Sequence, residues 1–405
     1  MAEASPPDTN GSNGSTDIYV ATYHDTPDRS LARARIALRR RQRDGTGLWE
    51  AMIGGETVEA PGGPASLPEE LARRLTAPLR NRQLVEVVRL RNGAADVALM
   101  EGQRVLRTYR SLSSALRDTV AAPREESIRK RAPAVEHVRA YLRAQLAEIE
   151  RTDPLIRSGD DSDAVHDFRV AARRMRSALK STRQMFDADW GSSLQEELRW
   201  VAGELGDARD LDVLLARLRK ESGSDEAPVV KLLETERRRA WKRARTALAS
   251  DRYVKLLDRL GSAVEAPPVR AAELSLEKVV AREFKKLRRR ARELGPKASD
   301  EQMHKARIGA KRARYAAELV EPVAGKRARR VIAAAKDFQD VVGAHQDSVV
   351  ASERIRAVLG RTKNLETAFA AGRLVERTTG RRKQARRKVP RAWKRLDKRA
   401  RKAFS

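Results

Sequence analysis

The hydrophobic pattern changes period about a quarter of the way along this 405-residue chain. Before residue 107, short segments of β-formers alternate with turn residues. Residues 17–24 carry Ile18, Tyr19, Val20, Thr22 and Tyr23, which favour a strand. In residues 35–43 the alternation puts Arg35, Arg39, Arg41 and Arg43 on one face of an extended strand. Strand candidates at 83–91 and 96–106 follow, the second folded at a Glu101-Gly102 turn. Gly54-Gly55 and residues 61–64 punctuate the region, and residues 68–79 suit a helix. A linker is expected at 121–123, and a disordered tail at 1–16, where Ser, Gly, Asn and Pro dominate.

From there the pattern is helical nearly throughout, rich in Ala, Arg, Leu and Glu. Breaks fall near Gly159, Gly191, Gly206, residues 222–228, 261–268, 295–299 and 321–325, Gly343 and Gly360. Helices of roughly 15–30 residues on short loops predict antiparallel bundles.

Two stretches of this helical part match one another. Val165-His166-Asp167-Phe168-Arg169 through Arg176 recurs as Met303-His304-Lys305-Ala306-Arg307 through Arg314, displaced by 138 positions. A second pair, Leu205-Gly206-Asp207-Ala208-Arg209-Asp210 and Val342-Gly343-Ala344-His345-Gln346-Asp347, follows at a displacement of 137. Two elements in the same order at nearly one displacement indicate a duplicated helical unit. Val165, Phe168, Ala172, Met175 and Leu179 have the spacing of a buried stripe, as do Met303, Ala306, Ala310, Ala313 and Ala317. One residue further round, about 100°, lies a cationic ridge in each copy. The first is His166, Arg169, Arg173, Arg176 and Lys180; the second is His304, Arg307, Lys311 and Arg314. These positions carry no acid, whereas a solvated face mixes both signs. For the two histidines, a structural role at a helix start and contact with an anion both fit.

Charge sharpens this picture. The chain has a formal net charge of +29, yet residues 1–120 hold 17 basic and 15 acidic side chains, so nearly all the excess lies beyond them. Such a field selects a polyanionic partner. Arg forks engage phosphate oxygens in pairs and Lys adds a point charge, so replicated rows of both suit a repeating phosphate. Nucleic acid satisfies the charge equally. Against it stand an aromatic content of 4% and the lack of a zinc-finger, RNA-recognition or homeodomain pattern. There is no cysteine, no run of about 18 apolar residues and no His/Asp/Glu cluster with ligand spacing. No cofactor, metal or membrane is expected, and a cytosolic location is. Asp210 and Asp347 read as ion-pair partners or helix caps.

The paired histidine–arginine helices resemble the CHAD family, the conserved-histidine α-helical domains. Residues 205–213 (Leu-Gly-Asp-Ala-Arg-Asp-Leu-Asp-Val) and 338–343 (Phe-Gln-Asp-Val-Val-Gly) complete the likeness over about residues 125–405. It implies two pseudo-symmetric antiparallel four-helix bundles, with repeats at about 125–262 and 270–405, and a basic central surface for inorganic polyphosphate. It also implies association with polyphosphate granules. Carried over, the contacts are His166, Arg169, Arg173 and Arg174 in the first copy and His304, Arg307, Lys311 and Arg312 in the second. Lys286, Arg289, Arg382 and Arg386 are further candidates on neighbouring helices.

Residues 17–120 resemble the CYTH domain, the triphosphate-tunnel fold, through Tyr23-His24-Asp25-Thr26-Pro27-Asp28, Leu31-Ala32-Arg33-Ala34, 36–41 and Trp49. The expected architecture is therefore mainly α, with a small, partial α+β domain ahead of the bundles. The family's opening Glu-x-Glu-x-Lys strand is absent, the first lysine of the chain is Lys130, and Glu50 follows Trp49 where the family has a tunnel lysine. Triphosphate hydrolysis needs carboxylates to hold a metal and cations to hold phosphates. The expectation is a catalytically dead remnant and a binding protein. The alternatives are a triphosphatase with a divergent tunnel and a nucleic-acid-binding basic protein.

Overall fold

The computed structural model describes residues 19–43, 46–64, 66–80, 82–92, 96–121, 128–221, 227–270, 274–295, 298–360 and 364–404. The expected tail at 1–16, most of the linker at 121–123 and residues 222–226 of one expected break lie outside them. Contacts divide the chain into two compact units. The first comprises Met1–Ser127, Ala144–Ala171 and Arg245–Gly261; the second comprises Ile128–Arg143, Ala172–Ala244 and Ser262–Ser405.

In the first unit the β-forming segments build one antiparallel sheet. Its strands are β1 (Tyr19–Asp25), β2 (Ala37–Arg43), β3 (Thr46–Ile53), β4 (Glu56–Pro61), β5 (Val85–Asn92), β6 (Val97–Glu101) and β7 (Arg104–Tyr109). They lie in the order β4-β3-β2-β1-β5-β6-β7. The Gly54-Gly55 pair turns β3 into β4 with both residues at positive φ, 61° and 89°, a conformation glycine adopts without strain. Successive side chains point to opposite faces, so Ala37 joins one apolar cluster and Leu38 the other. Short helix α4 (Leu112–Thr119) contributes Ala115 and Leu116 to the first cluster. Helices α1 (Ser30–Arg33), α2 (Glu69–Arg74) and α3 (Thr76–Leu79) bring Leu31, Leu71, Leu75 and Leu79 to the second.

Two local details differ from the pattern reading. Residues 68–79 form α2 and α3, with Leu75 between them, rather than one helix. Arg35 sits in a left-handed turn at φ 60° ahead of β2, outside the strand whose shared face it was expected to join, while Arg39 and Arg41 lie on that face. Between them lies Glu50 of β3, 1% exposed, in register with Arg39. It accepts from Arg39 Nε at 2.5 Å and Arg41 Nε at 2.7 Å, while Arg39 also donates to the hydroxyls of Tyr19 and Tyr23. Burial alone would raise the Glu50 carboxyl, but Arg39 and Arg41 hold it below its ordinary value. The Asp25 carboxylate accepts from the backbone N–H groups of Thr26, Leu31 and Ala32, which makes that motif a scaffold for α1.

The helices that follow are α5 (Ala134–Ser158), α6 (Ser162–Ser181), α7 (Ala188–Glu204), α8 (Gly206–Glu221), α9 (Ala227–Leu248) and α10 (Asp251–Glu265). Then come α11 (Leu276–Ala291), α12 (Asp300–Ala324), α13 (Lys326–Leu359) and α14 (Leu365–Phe404). Their bounds repeat. Displaced by 138 positions, the first residues of α6, α7 and α9 fall on Asp300, Lys326 and Leu365, which begin α12, α13 and α14. The second copy is a closed four-helix bundle: α11 packs on α12, α12 on α13, α13 on α14, and α14 back on α11. Both stripes read from the sequence are core; Phe168, Ala172 and Met175 are fully buried, as are Ala306, Ala310 and Ala313.

The copies differ where helices break. Gly206 starts a new helix, but its counterpart Gly343 lies inside the continuous α13. A helical glycine costs only about 1 kcal/mol relative to Ala, and α13 is clasped by α12 and α14 on either side. Gly191 likewise falls within α7, and the turn near it comes earlier, at residues 182–187, where Asp187 caps the helix. The break between α9 and α10 carries no Gly or Pro.

In the first unit, Arg80 and Glu150 form an ion pair whose side chains are each 5% exposed, and Arg80 also donates to the Leu257 carbonyl at 3.0 Å. Burial pushes the Glu150 carboxyl up to about 7, with Arg80 and Arg82 opposing. Removing one partner strands the other charge. Arg80→Met is therefore expected to cost about 3–5 kcal/mol, read as a lowered urea midpoint, with Glu150→Gln in the same chain restoring part of the loss.

Candidate anion-binding surface

Within the second unit, the C-terminal half of α6 brings its ridge beside α11 and α12. Arg173, Arg176 and Lys180 repeat at helical spacing because Ala172, Met175 and Leu179 anchor the adjoining stripe. Across from them stand Arg307 and Arg312 of α12. Gly309 permits the close approach of α11: a Cβ there would meet Leu287 Cδ1 at 3.2 Å and Arg290 Nη1 at 3.1 Å.

The electrostatics show which cations crowd one another. Burial lowers the Arg176 pKa, and Arg199, Arg173 and Arg312 lower it further, with no acid opposing. The Lys180 ammonium is lowered first by Arg312, then by burial and Arg199; Lys286 adds to this and Glu283 resists it. Arg290 is lowered by burial and then by Arg312. Arg307 is lowered by burial and by Arg173, against Asp347 and Asp210. The result is a run of cations linked by mutual repulsion, from Arg307 through Arg173, Arg176 and Arg312 to Lys180, with the Glu283-paired Lys286 beside its end. Arg199 of α7 and Arg290 of α11 belong to it, although the sequence pattern does not single them out. Arg199 lies in no repeated motif. Arg290 adjoins the exposed Arg289, and only the rotation of α11 decides which of the two faces Arg312.

Other candidates have acids of their own. The ridge position after Arg314 is Glu318, which accepts from Arg174 Nε at 2.8 Å and lies 3.4 Å from Arg314 Nε. Asp300, at the start of α12, holds Arg382 at 3.0 Å and Arg386 at 3.2 Å and faces the buried His345 at 3.3 Å. Lys311 lies near Asp347, along with Arg307 and Arg217. His304 is exposed, with Nδ1 3.0 Å from Gln346 Oε1. Lys286 bonds Glu283 at 2.6 Å. His166 and Arg169 lie on the part of α6 that belongs to the first unit, where Asp167 between them accepts from Arg151 at 3.0 Å.

One cavity of about 160 Å³ opens at the Lys180 end of the run, lined by Ser177, Lys180, Ser181, Arg183, Arg282, Glu283, Lys286 and Arg312. Among the described residues, no group of three His, Asp or Glu side chains comes together to hold a metal ion. Nor, among them, is any helix long and apolar enough to cross a membrane.

A duplicated helical unit with like-charged helices turned toward one another defines a basic, mainly α-helical protein. The CHAD domain pattern matches residues 140–356, more than half the chain, and the chain belongs to the CHAD family. It is similar to the uncharacterized proteins MT2285 and Rv2226 of two Mycobacterium tuberculosis strains, each 31% identical over 290 residues. Those matches cover 67% of this chain and 55% of each relative, so the chain spans about half the length of the curated relatives it matches. Among solved structures, the CHAD domain from the plant Ricinus communis is similar, at 25% identity and a TM-score of 0.57, over 66% of this chain and 94% of that one. PptA from Streptomyces chartreusis is similar at 25% identity and a TM-score of 0.54, over 65% of this chain and all of that one.

Two outcomes follow from the acids. Glu318→Gln releases Arg174 and Arg314, and polyanion affinity at fixed salt is expected to rise severalfold, with a salt dependence steeper by one to two released counterions, about 0.7 log units each. Burial lowers the His345 imidazole below its ordinary 6.5, with Asp300 opposing and Arg386 and Arg382 adding to the shift. Below pH 6.5 the unfolded chain thus binds more protons than the folded one, and stability falls as pH falls. Thermal unfolding between pH 7 and 5 should show this slope, flattened by His345→Gln.

Proposed function

We propose that this chain binds inorganic polyphosphate along the cationic run of α6, α11 and α12, as a binding module and not as an enzyme. The observation that carries the reading is the mutual crowding of Arg173, Arg176, Lys180 and Arg312, whose charges are neighboured by more cations than acids. Two unit charges 4 Å apart at an effective dielectric near 20 interact by about 4 kcal/mol. A phosphate placed among such cations replaces repulsion with attraction at each step. Arg307, Lys311 and His304 extend the surface along α12, while His166 and Arg169 are further candidate contacts within the first unit. Arg174, Arg314, Arg382 and Arg386 already have carboxylate partners and contribute field more than contact.

The surroundings favour polyphosphate over nucleic acid. Tyr315 packs beneath Arg174 and Arg314 and is 4% exposed, so its ring cannot stack on a base. In the sheet, Glu50 engages both Arg39 and Arg41, the cations a triphosphate would need. This supports reading that domain as inactive.

At fixed salt, long-chain polyphosphate is expected to displace duplex DNA from the protein, and DNA displacing polyphosphate would overturn the assignment. Reversing Arg173 and Lys311 together to Glu should weaken polyphosphate binding by about two orders of magnitude. Reversing the exposed Arg104 and Arg117 should change it less than twofold. Incubation with tripolyphosphate or ATP and Mg²⁺ or Mn²⁺ is expected to release no phosphate; turnover that is lost on mutating Arg39 or Arg41 would mean that the sheet is catalytic after all. In cells, a tagged copy should follow polyphosphate granules and disperse when polyphosphate is absent.

A further inference from the structure

We infer that the cavity at the Lys180 end of the run is a seat for the terminal phosphate of the chain, so the protein recognises polyphosphate ends as well as the interior phosphates along the run. This rests on the polyphosphate reading above. Three features of the cavity distinguish it from the open ridge.

It is walled at one end. α6 stops at Ser181, and the backbone turns through a short 3₁₀ helix at Arg183–Met185. Arg282 of α11 donates to the Ser181 carbonyl at 2.7 Å and ties the two walls together. The ridge of Arg173, Arg176 and Lys180 therefore ends here, with the helix that carries it.

It also holds an unused hydrogen-bonding group. Ser177 is 8% exposed, and its hydroxyl has no hydrogen-bond partner among the described residues, although it lines the cavity. A buried hydroxyl left unpaired is unfavourable, and a bound oxyanion would give it a partner. Lys180, Arg312 and Lys286 supply the cations around it.

Finally, the cavity contains a carboxylate. Glu283 is 6% exposed and lines it beside Lys286. To an interior phosphate, which carries one negative charge and no proton, this carboxylate is purely repulsive. A terminal phosphate has a second ionisation near pH 6, so around that pH its P–OH can donate a hydrogen bond to Glu283 while its remaining oxygens meet Lys180, Arg312 and Ser177. One acid among several bases thus selects the end of the chain against its middle.

The test uses the full-length protein near pH 6 and short linear polyphosphate of one length, with its two ends either free or capped through phosphoramidate links to a neutral amine. Free-ended chains are expected to bind about tenfold more tightly, the worth of one charge-assisted hydrogen bond. In Glu283→Gln, the endless ring trimetaphosphate should gain affinity relative to linear tripolyphosphate. In a Ser177→Ala, Glu283→Gln double variant with unchanged thermal stability, capped and free chains should bind alike. Equal binding of capped and free chains to the unmodified protein would overturn the inference and leave polyphosphate binding standing. Failure of both to bind would instead remove the reading on which it rests.

Discussion

The structure depends on holding like charges together. Along α6 and α12 the residues that carry the cationic ridges are neighbours, by one position, of residues that are fully buried. The stripe through Phe168, Ala172 and Met175, and its counterpart through Ala306, Ala310 and Ala313, fixes the rotation of each helix. Burial of a Leu- or Met-sized side chain contributes roughly 1.5–3 kcal/mol, and summed along the packed helices this outweighs the solvent-screened repulsion between half-exposed guanidinium groups. The ridges therefore cannot rotate away from one another without exposing the core. Apolar packing stores an unfavourable charge arrangement that a polyanion can relieve.

Acids decide where that arrangement survives. At position 180 the first copy carries Lys, and at the matching position 318 the second carries Glu. This one difference makes the duplicated surface asymmetric. On the Lys180 side Arg312 and Lys286 crowd together, and on the Glu318 side Arg174 and Arg314 are drawn to a carboxylate. Asp300 does the same for Arg382 and Arg386. A surface that sums to a large positive charge is thus divided into cations already paired and cations facing other cations. The same logic recurs in the sheet, where Glu50 holds Arg39 and Arg41 together and Glu59 adds a second acid beside Arg41.

Much of this is legible in the amino-acid order. The 138-residue displacement, read from two short motifs, reappears in the first residues of three helix pairs, and both core stripes are buried as their spacing requires. Helix breaks are less legible. Gly343 and Gly191 are absorbed into helices, because the cost of one glycine is small beside that of separating packed faces. Conversely, the α9–α10 break has no glycine or proline to announce it.

What the sequence determined by itself is the local and periodic part: which residues share a helix face, that the helical unit is duplicated, and that its charge is overwhelmingly positive. These follow from spacing along one chain. What the tertiary structure decided is pairing across elements. It selected Arg290 instead of Arg289, recruited Arg199, gave Glu318 and Asp300 their guanidinium partners, and put Ser177 and Glu283 in one cavity with Lys180. Periodicity fixes a side chain's direction about its own axis, but the partner it meets depends on how two axes cross, and that is set by packing between residues tens to more than a hundred positions apart.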